Sequence, residues 1–189
     1  MNIVSNINKN TKCILGHNKF SQHKKWGSPL YITMLRDPIE RVISHYYYFK
    51  HVLNNKLANE YSLEEFSKLD RFSNMQTHYI TGDDPNLEKA INNLKTFAFF
   101  GITEMFKESL FLMKNTFGWE TIDYSRGNVN NKKLKKESIP KETIEQIEKA
   151  NLIDIQLYQW AKENLKNRIE TLDKKSKIEL ATWVKSFKP

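Results

Sequence analysis

Residues 31–49, YITMLRDPIERVISHYYYF, decide the fold of this chain. Residues 30–35 are a short apolar run with β-branched and aromatic members, which predicts a buried strand. Asp37 is then predicted to cap a helix, with Pro38 at the first helical position, where a missing N–H costs nothing, and with Glu40 completing a capping box. Apolar residues recur at helical spacing beyond this point, so one helix face is expected to be buried. A strand that runs directly into a capped helix is typical of α/β proteins.

The rest of the chain predicts a mostly parallel sheet with helices on both faces and a helical C-terminal third. Residues 11–16 and 97–103 are further short apolar runs that predict strands. Additional helices are predicted over 62–69, from Asp84-Pro85 onward, over 105–117, and from Pro140 to the C-terminus, where 170–189 is expected to form a tail helix.

Composition limits the class of protein. The chain has 189 residues, enough for one domain, and 39% of them are hydrophobic, which excludes disorder by composition. Its net charge of +8 favours an anionic partner, such as nucleic acid, a membrane surface, a nucleotide phosphate or an acidic polysaccharide, without choosing among them. The single Cys13 excludes an internal disulfide, and no apolar run approaches the roughly 20 residues of a membrane span. No secretory signal is recognisable, so we expect a cytoplasmic protein, with peripheral membrane association left open.

The junction between the predicted strand and helix has the chemistry of an anion site. Arg36 ends the strand, at the edge where open α/β sheets bind ligands. Ser44 lies two turns into the helix, on its polar side. A guanidinium and a hydroxyl near a helix N-terminus favour a phosphate dianion, because both donate hydrogen bonds and the helix dipole favours negative charge. The alternative interpretation is an ordinary junction in which Arg36 pairs with an acidic residue.

The same residues resemble a known motif. Arg36-Asp37-Pro38, followed by Ser44 and by the tyrosines at 46–48, looks like the 3′-phosphate-binding motif of carbohydrate sulfotransferases that use 3′-phosphoadenosine 5′-phosphosulfate (PAPS). The likeness is closest to the heparan and uronyl 2-O-sulfotransferases and their bacterial relatives. It implies that Arg36 and Ser44 bind the 3′-phosphate of PAPS; the tyrosine run itself is interpreted as core. Shorter similarities follow in the expected order at 16–17, 74–77, 100–104, 128–130 and 154–158.

The resemblance implies roles for four further residues. His17 is expected to be the catalytic base that removes the proton of the acceptor hydroxyl, a task suited to a group that titrates near working pH. The basic loop 126–136 is expected to cover the nucleotide through Asn128, Asn130 and Lys133. The alternatives are a surface histidine and a solvated run of charges. The other histidines lack metal-ligand spacing, and we predict no metal.

The resemblance also implies a P-loop-like fold, from which one part is missing. The family grips the 5′-phosphosulfate with a strand, a glycine- and lysine-containing loop and a helix, and none of the six glycines lies in such a loop. We therefore interpret residues 1–189 as a single sulfotransferase domain, truncated before its second strand. Because the loop stabilises the charge of the leaving phosphate, little sulfuryl transfer is expected from these residues alone.

The leading functional hypothesis is an O-sulfotransferase that transfers the sulfuryl group of PAPS to a hydroxyl of a glycan or another saccharide. One alternative is a catalytically inactive, nucleotide-binding remnant of such an enzyme. A second is a basic nucleic-acid-binding module, which would bind DNA or RNA with steep salt dependence. No nucleic-acid partner is expected, because no recognisable nucleic-acid motif is present. The acceptor, the position sulfated and the oligomeric state stay open.

Overall fold

The computed structural model of the chain describes residues 11–22, 24, 27–122 and 136–186. Within these residues the sheet has two parallel strands, β1 (Ile32–Leu35) and β2 (Phe99–Ile102). Ile32 lies opposite Phe99, and Leu35 lies opposite Ile102. Both strands fall inside the runs predicted as strands, and their parallel pairing with helices between them confirms the α/β class.

Helices surround this small sheet on both sides and make up the C-terminal part of the chain. Short 3₁₀ turns occur at Asp70–Phe72, Thr103–Met105 and Lys136–Ser138. In the described part of the chain, no helix is both long and apolar enough to cross a membrane. The α-helices are α1 (Pro38–His51), α2 (Lys56–Glu60), α3 (Leu63–Ser67), α4 (Met75–Thr81), α5 (Leu87–Thr96), α6 (Phe106–Phe117), α7 (Lys141–Ala150), α8 (Leu152–Glu170) and α9 (Lys174–Ser186).

The strand predicted at 11–16 was wrong. These residues lie in no strand, Cys13 is exposed, and the side chain of Leu15 is 81% exposed. A strand requires a neighbour that pairs with its backbone groups and a surface that covers its apolar side chains. The short apolar run supplies neither by itself, and in the structure it stays outside the sheet.

The start of α1 follows the predicted local chemistry, with one difference. The Asp37 carboxylate accepts a hydrogen bond from the Glu40 N–H at 2.9 Å, and Pro38 occupies the first turn. The N–H that a capping box would give to Glu40 is instead bound to Glu104: Asp37 N donates to Glu104 Oε1 at 3.0 Å. The start of α1 is therefore tied to the end of β2.

Two other helix starts show how well local capping residues predict where a helix begins. At α3, Ser62 and Glu65 form the complete reciprocal box that the sequence predicts. At α5 the cap is Asn86, whose side chain accepts from Lys89 N at 2.8 Å, rather than Asp84. Several residues with short polar side chains precede α5, and any of them is a competent cap, so the sequence placed this start two residues early.

The core has two parts. The larger part surrounds β2, all four residues of which are buried, and includes side chains from α5, α6 and α8. The smaller part lies under α1 and is formed with α3 and α7 around the fully buried Phe66 and Ile147. Tyr46 and Tyr47 belong to this second part, which confirms their interpretation as core residues.

Helix α9 packs against α6. The side chain of Leu180 is buried, and Trp183 Nε1 donates to the Lys107 carbonyl at 3.0 Å. In return, Lys107 Nζ donates to the carbonyl of Val184 at 2.8 Å. These contacts attach the last described helix to the larger part of the core, which surrounds β2.

Candidate functional site

The carboxyl end of β1 is held by hydrogen bonds from outside the sheet. The Gln76 side chain bonds both backbone groups of Arg36: its Nε2 donates to Arg36 O, and its Oε1 accepts from Arg36 N, each at 2.9 Å. Thr103 Oγ1 donates to the carbonyl of Leu35 at 3.0 Å. The main chain that carries Arg36 is therefore fixed at the edge of the sheet where open α/β folds bind ligands.

The Arg36 side chain is one-third exposed and only weakly paired. Its Nη2 lies 3.5 Å from Glu40 Oε2, one helical turn away, and the side chain is 33% exposed. An ion pair with this i,i+4 spacing on a helix contributes about 0.3–0.5 kcal/mol. A guanidinium has five N–H donors, and this contact engages one of them. A bound phosphate could therefore compete with Glu40 for the guanidinium at low cost.

Arg41 adds positive charge to the same region. It lies one turn after Asp37 in α1 and is partly buried. Burial lowers the pKa of Arg41, while the nearby Asp154 and Tyr79 favour its charged form, and Arg36 is close enough to oppose it. The two arginines thus act on each other at the start of α1, and an anion between them would relieve that repulsion.

His45 lies one turn further along α1, in an aromatic environment. Its ring packs edge-on against Phe49, with the centroids 4.3 Å apart, and against Phe72 at 5.4 Å. Burial, together with the charges of Arg41 and His17, lowers the pKa of His45 to about 4. Its Nε2 is buried and has no hydrogen-bond partner among the described residues. His45 is therefore a neutral core side chain at pH 7.

His17 lies beside α4 and close to His45. Its ring centroid is 5.8 Å from that of Tyr79, and its charge contributes to the lowered pKa of His45. The segment is held on α4 by a hydrogen bond from Phe20 N to the Tyr79 carbonyl at 2.8 Å. At the end of α4, Gly82 permits this approach, because its φ is +74° and a Cβ there would lie 2.6 Å from Phe20 O. His17 itself is exposed and accessible from solvent.

Two of the predicted site residues belong to the junction between β1 and α1: Arg36 precedes the helix by two residues, and Ser44 is half-buried two turns along it. His17 lies against Tyr79 of α4, and its charge is among the causes that lower the pKa of His45. The predicted contacts Asn128, Asn130 and Lys133 lie outside the described residues, and their roles stay predictions. In the described part of the chain, no three His, Cys, Asp or Glu side chains are grouped as a metal site requires.

Beneath this region, α4 and α8 cap each other. Asp154, 2% exposed, accepts from Gln76 N at 3.0 Å and from Thr77 N and Oγ1 at 2.7 and 2.6 Å. In the other direction, Asn74 Oδ1 accepts from Asp154 N at 3.0 Å, and the Asn74 N–H donates to Asn151 Oδ1 at 2.9 Å. Each side chain satisfies N–H groups that the first turn of a helix leaves without partners.

The sequence alone assigns no role to Gln76, Thr77 or Asp154. The segments 74–77 and 154–158 resemble segments of a family, and in the structure they contact each other. One signal was available: Asp154 stands among apolar residues at the start of a helix, where a carboxylate is buried only with partners. Burial raises the pKa of Asp154, while its hydrogen bonds from Thr77 and Gln76 and the charge of Arg41 act in the opposite direction.

Glu104 connects β2, α1 and α8 at the same edge of the sheet. Besides accepting from Asp37 N, its carboxylate accepts from Tyr158 Oη at 3.0 Å. Burial, followed by the negative charge of Glu104, raises the pKa of Tyr158 above its ordinary range, so the phenol stays protonated and donates. Glu104 thereby holds Asp37, the residue that follows Arg36, while Gln76 of α4 holds Arg36 itself.

Comparison with known proteins shows that the chain is similar in sequence to several sulfotransferases. The human heparan-sulfate 6-O-sulfotransferase 3 is 25% identical over an alignment of 181 positions, which covers 73% of this chain and 38% of the human protein. The Gallus gallus heparan-sulfate 6-O-sulfotransferase 2 is 32% identical over 89 residues, covering 47% of this chain and 22% of the relative. The Gallus gallus heparan-sulfate 6-O-sulfotransferase 1 is 37% identical over 76 residues, covering 40% and 18%. This similarity supports a distant relationship to carbohydrate sulfotransferases.

The similarity has defined limits. No protein-family model matches the chain, and no solved structure matches it. The chain spans about two-fifths of the length of the first curated relative. The relatives carry 6-O-sulfotransferase names, so the expected likeness to the 2-O-sulfotransferases stays a prediction, whereas the broader likeness to carbohydrate sulfotransferases is supported.

Proposed function

We propose that this chain is part of a sulfotransferase that transfers the sulfuryl group of PAPS to a hydroxyl of a glycan, and that Arg36 and Ser44 bind the 3′-phosphate. The observation that carries the proposal is the placement of Arg36. Its backbone is fixed at the carboxyl end of β1, directly before the N-terminus of α1, while among the described residues its guanidinium is engaged only by a weak ion pair with Glu40. The relationship to heparan-sulfate 6-O-sulfotransferases supports the class of reaction.

The electrostatics of the site suit a dianion. Arg36 and Arg41 are two positive charges near one helix N-terminus, and the chain as a whole carries a net charge of +8. A guanidinium can bond a phosphate through two parallel N–H groups, and the half-buried hydroxyl of Ser44 is a further donor on the same helix. The same positive balance favours an acidic saccharide as the acceptor.

His17 is the proposed base. In the reaction, the acceptor oxygen attacks sulfur, the bond between sulfur and the bridging oxygen of the 5′-phosphate breaks, and adenosine 3′,5′-bisphosphate leaves. The base accepts the proton of the attacking hydroxyl. The imidazole of His17 is exposed and therefore open to an acceptor sugar, and the contact with Tyr79 gives its ring a defined neighbour.

The proposal is tested by titrating adenosine 3′,5′-bisphosphate into the wild type and its variants in a calorimeter. A hydrogen bond to a charged group contributes about 1.5–3 kcal/mol, so Arg36→Ala should weaken binding about 10- to 100-fold, and Ser44→Ala less. Arg168→Ala is the matched control. It removes the same charge at the opposite end of the sheet, where Arg168 lies over the ring of Phe99, with 5.3 Å between Cζ and the ring centroid.

Three outcomes would contradict the proposal. The first is a wild-type chain that binds the bisphosphate no better than it binds inorganic phosphate. The second is a folded Arg36→Ala variant with the affinity of the wild type. An equal loss in Arg168→Ala would also count against it, because that result indicates attraction by net charge rather than a site at Arg36.

A further inference from the structure

At the end of β1, the side chain of Gln76 makes the hydrogen bonds that a neighbouring strand would make. The pairing of β1 with β2 ends at Leu35, opposite Ile102, and Arg36 is the next residue. In an extended chain the N–H and C=O of one residue point to the same side, and a strand would bond both. The primary amide of Gln76 does the same with one donor and one acceptor, each 2.9 Å from its partner.

Gln76 is itself held in place by Asp154 of α8. Its side chain is almost fully buried, with the residue 7% exposed, and its N–H donates to Asp154 Oδ2 at 3.0 Å. The next residue, Thr77, donates both its N–H and its hydroxyl to Asp154 Oδ1. Three hydrogen bonds to one buried carboxylate thus fix the first turn of α4, from which the Gln76 amide reaches Arg36.

We infer that Gln76 is a positioning residue of the anion site, whose amide sets the direction in which the Arg36 guanidinium projects, with Asp154 fixing Gln76. This inference rests on the proposed role of Arg36. Guanidinium–phosphate hydrogen bonds are directional, and the rest of the Arg36 side chain is flexible, so the affinity depends on where its main chain is held. Gln76 acts through Arg36 and needs no contact with the ligand.

The test is a double-mutant cycle on the binding of adenosine 3′,5′-bisphosphate, measured by calorimetry. Gln76→Met keeps the length and volume of the side chain and removes both hydrogen bonds to Arg36. We expect affinity to fall about tenfold in the wild-type background, the loss expected for a group that orients a charged hydrogen bond. In the Arg36→Ala background the same substitution should have no further effect, because the group through which it acts is gone. Gln156→Met, the same change at an exposed position of α8, is the matched control and should bind as the wild type.

The outcomes separate this inference from the proposed function. If Arg36→Ala weakens binding while Gln76→Met does not, the inference is overturned and the proposed function stands. If Gln76→Met causes an equal loss with and without Arg36, Gln76 supports the fold in general, and the inference is again overturned. A wild type that does not bind the bisphosphate overturns both. Thermal unfolding monitors folding of each variant, and Gln76→Asn, whose amide is one methylene shorter, replaces Gln76→Met with the same expected result if the latter does not fold.

Discussion

Replacement of His45 by phenylalanine should remove a defined part of the acid sensitivity of this protein. In the folded chain the pKa of His45 is lowered from 6.5 to about 4, mainly by burial. The unfolded chain therefore binds a proton at this residue below about pH 6.5, when the folded chain does not. His45 therefore does not lower the free energy of unfolding above about pH 6.5, and it lowers this free energy progressively as the pH falls towards 4.

The magnitude follows from the two pKa values. One unit of difference corresponds to about 1.4 kcal/mol, so about 2–3 kcal/mol of the free energy of unfolding should be lost through His45 between pH 7 and about pH 4.5. In His45→Phe this part of the loss should disappear. The phenyl ring keeps the packing against Phe49 and Phe72 and removes the buried Nε2, which has no partner among the described residues. Stability at pH 7 should therefore be unchanged or higher.

Urea unfolding at several pH values between about 7 and 4.5 measures this effect. The quantity to compare is the change in the free energy of unfolding with pH, because protonation of carboxylates contributes to every variant. His51→Phe, at an exposed position of the same helix, is the matched control and should keep the wild-type dependence on pH. If His45→Phe loses as much stability on acidification as the wild type, the account of a buried neutral His45 is wrong.

Two further predictions concern the sheet and the chemistry. Gly101→Ala should lower the free energy of unfolding by about 1–3 kcal/mol in urea titrations, because a Cβ there would lie 2.6 Å from Met34 Sδ and 2.8 Å from Ser109 Cβ; unchanged stability would mean that these side chains move freely. His17→Ala should leave the affinity for adenosine 3′,5′-bisphosphate nearly unchanged. In a form of the protein that carries a 5′-phosphosulfate loop, the same substitution should lower sulfuryl transfer to desulfated heparin about 10²- to 10⁴-fold. If that variant keeps its activity, His17 is not the base.

The parts of the fold that could be predicted are those that neighbouring residues encode. Asp37 and Pro38 begin α1 through contacts within one helical turn, and Ser62 with Glu65 begins α3 in the same way. The burial of β2 follows from its sequence, Phe99-Phe100-Gly101-Ile102, which contains no polar side chain. In each case the hydrogen bonds or the apolar pattern involve residues close in sequence, so the printed order of residues is sufficient evidence.

The strand predicted at 11–16 shows where this reasoning stops. An apolar run becomes a strand only if another segment pairs with it, and no local pattern states which segment that is. The same limit applied to Asp154. Its hydrogen bonds to Gln76 and Thr77 join residues 78 and 77 positions apart, so a buried carboxylate could be expected from its apolar neighbours but its partners could not.

The candidate site depends both on residues close in sequence and on residues far apart, and for this reason only part of it could be predicted. The identity of Arg36 and the helix that follows it are local features. The position of Arg36 depends on contacts at 35–37 from three distant side chains: Gln76, Glu104 and Thr103, which lie 40, 67 and 68 residues away from the groups that they bond. A sequence pattern can therefore name the arginine that meets an anion, while the residues that determine its geometry are recognisable only after the chain has folded. Substitutions at those distant positions should change ligand affinity without changing any residue of the motif, and the cycle between Gln76 and Arg36 measures that coupling directly.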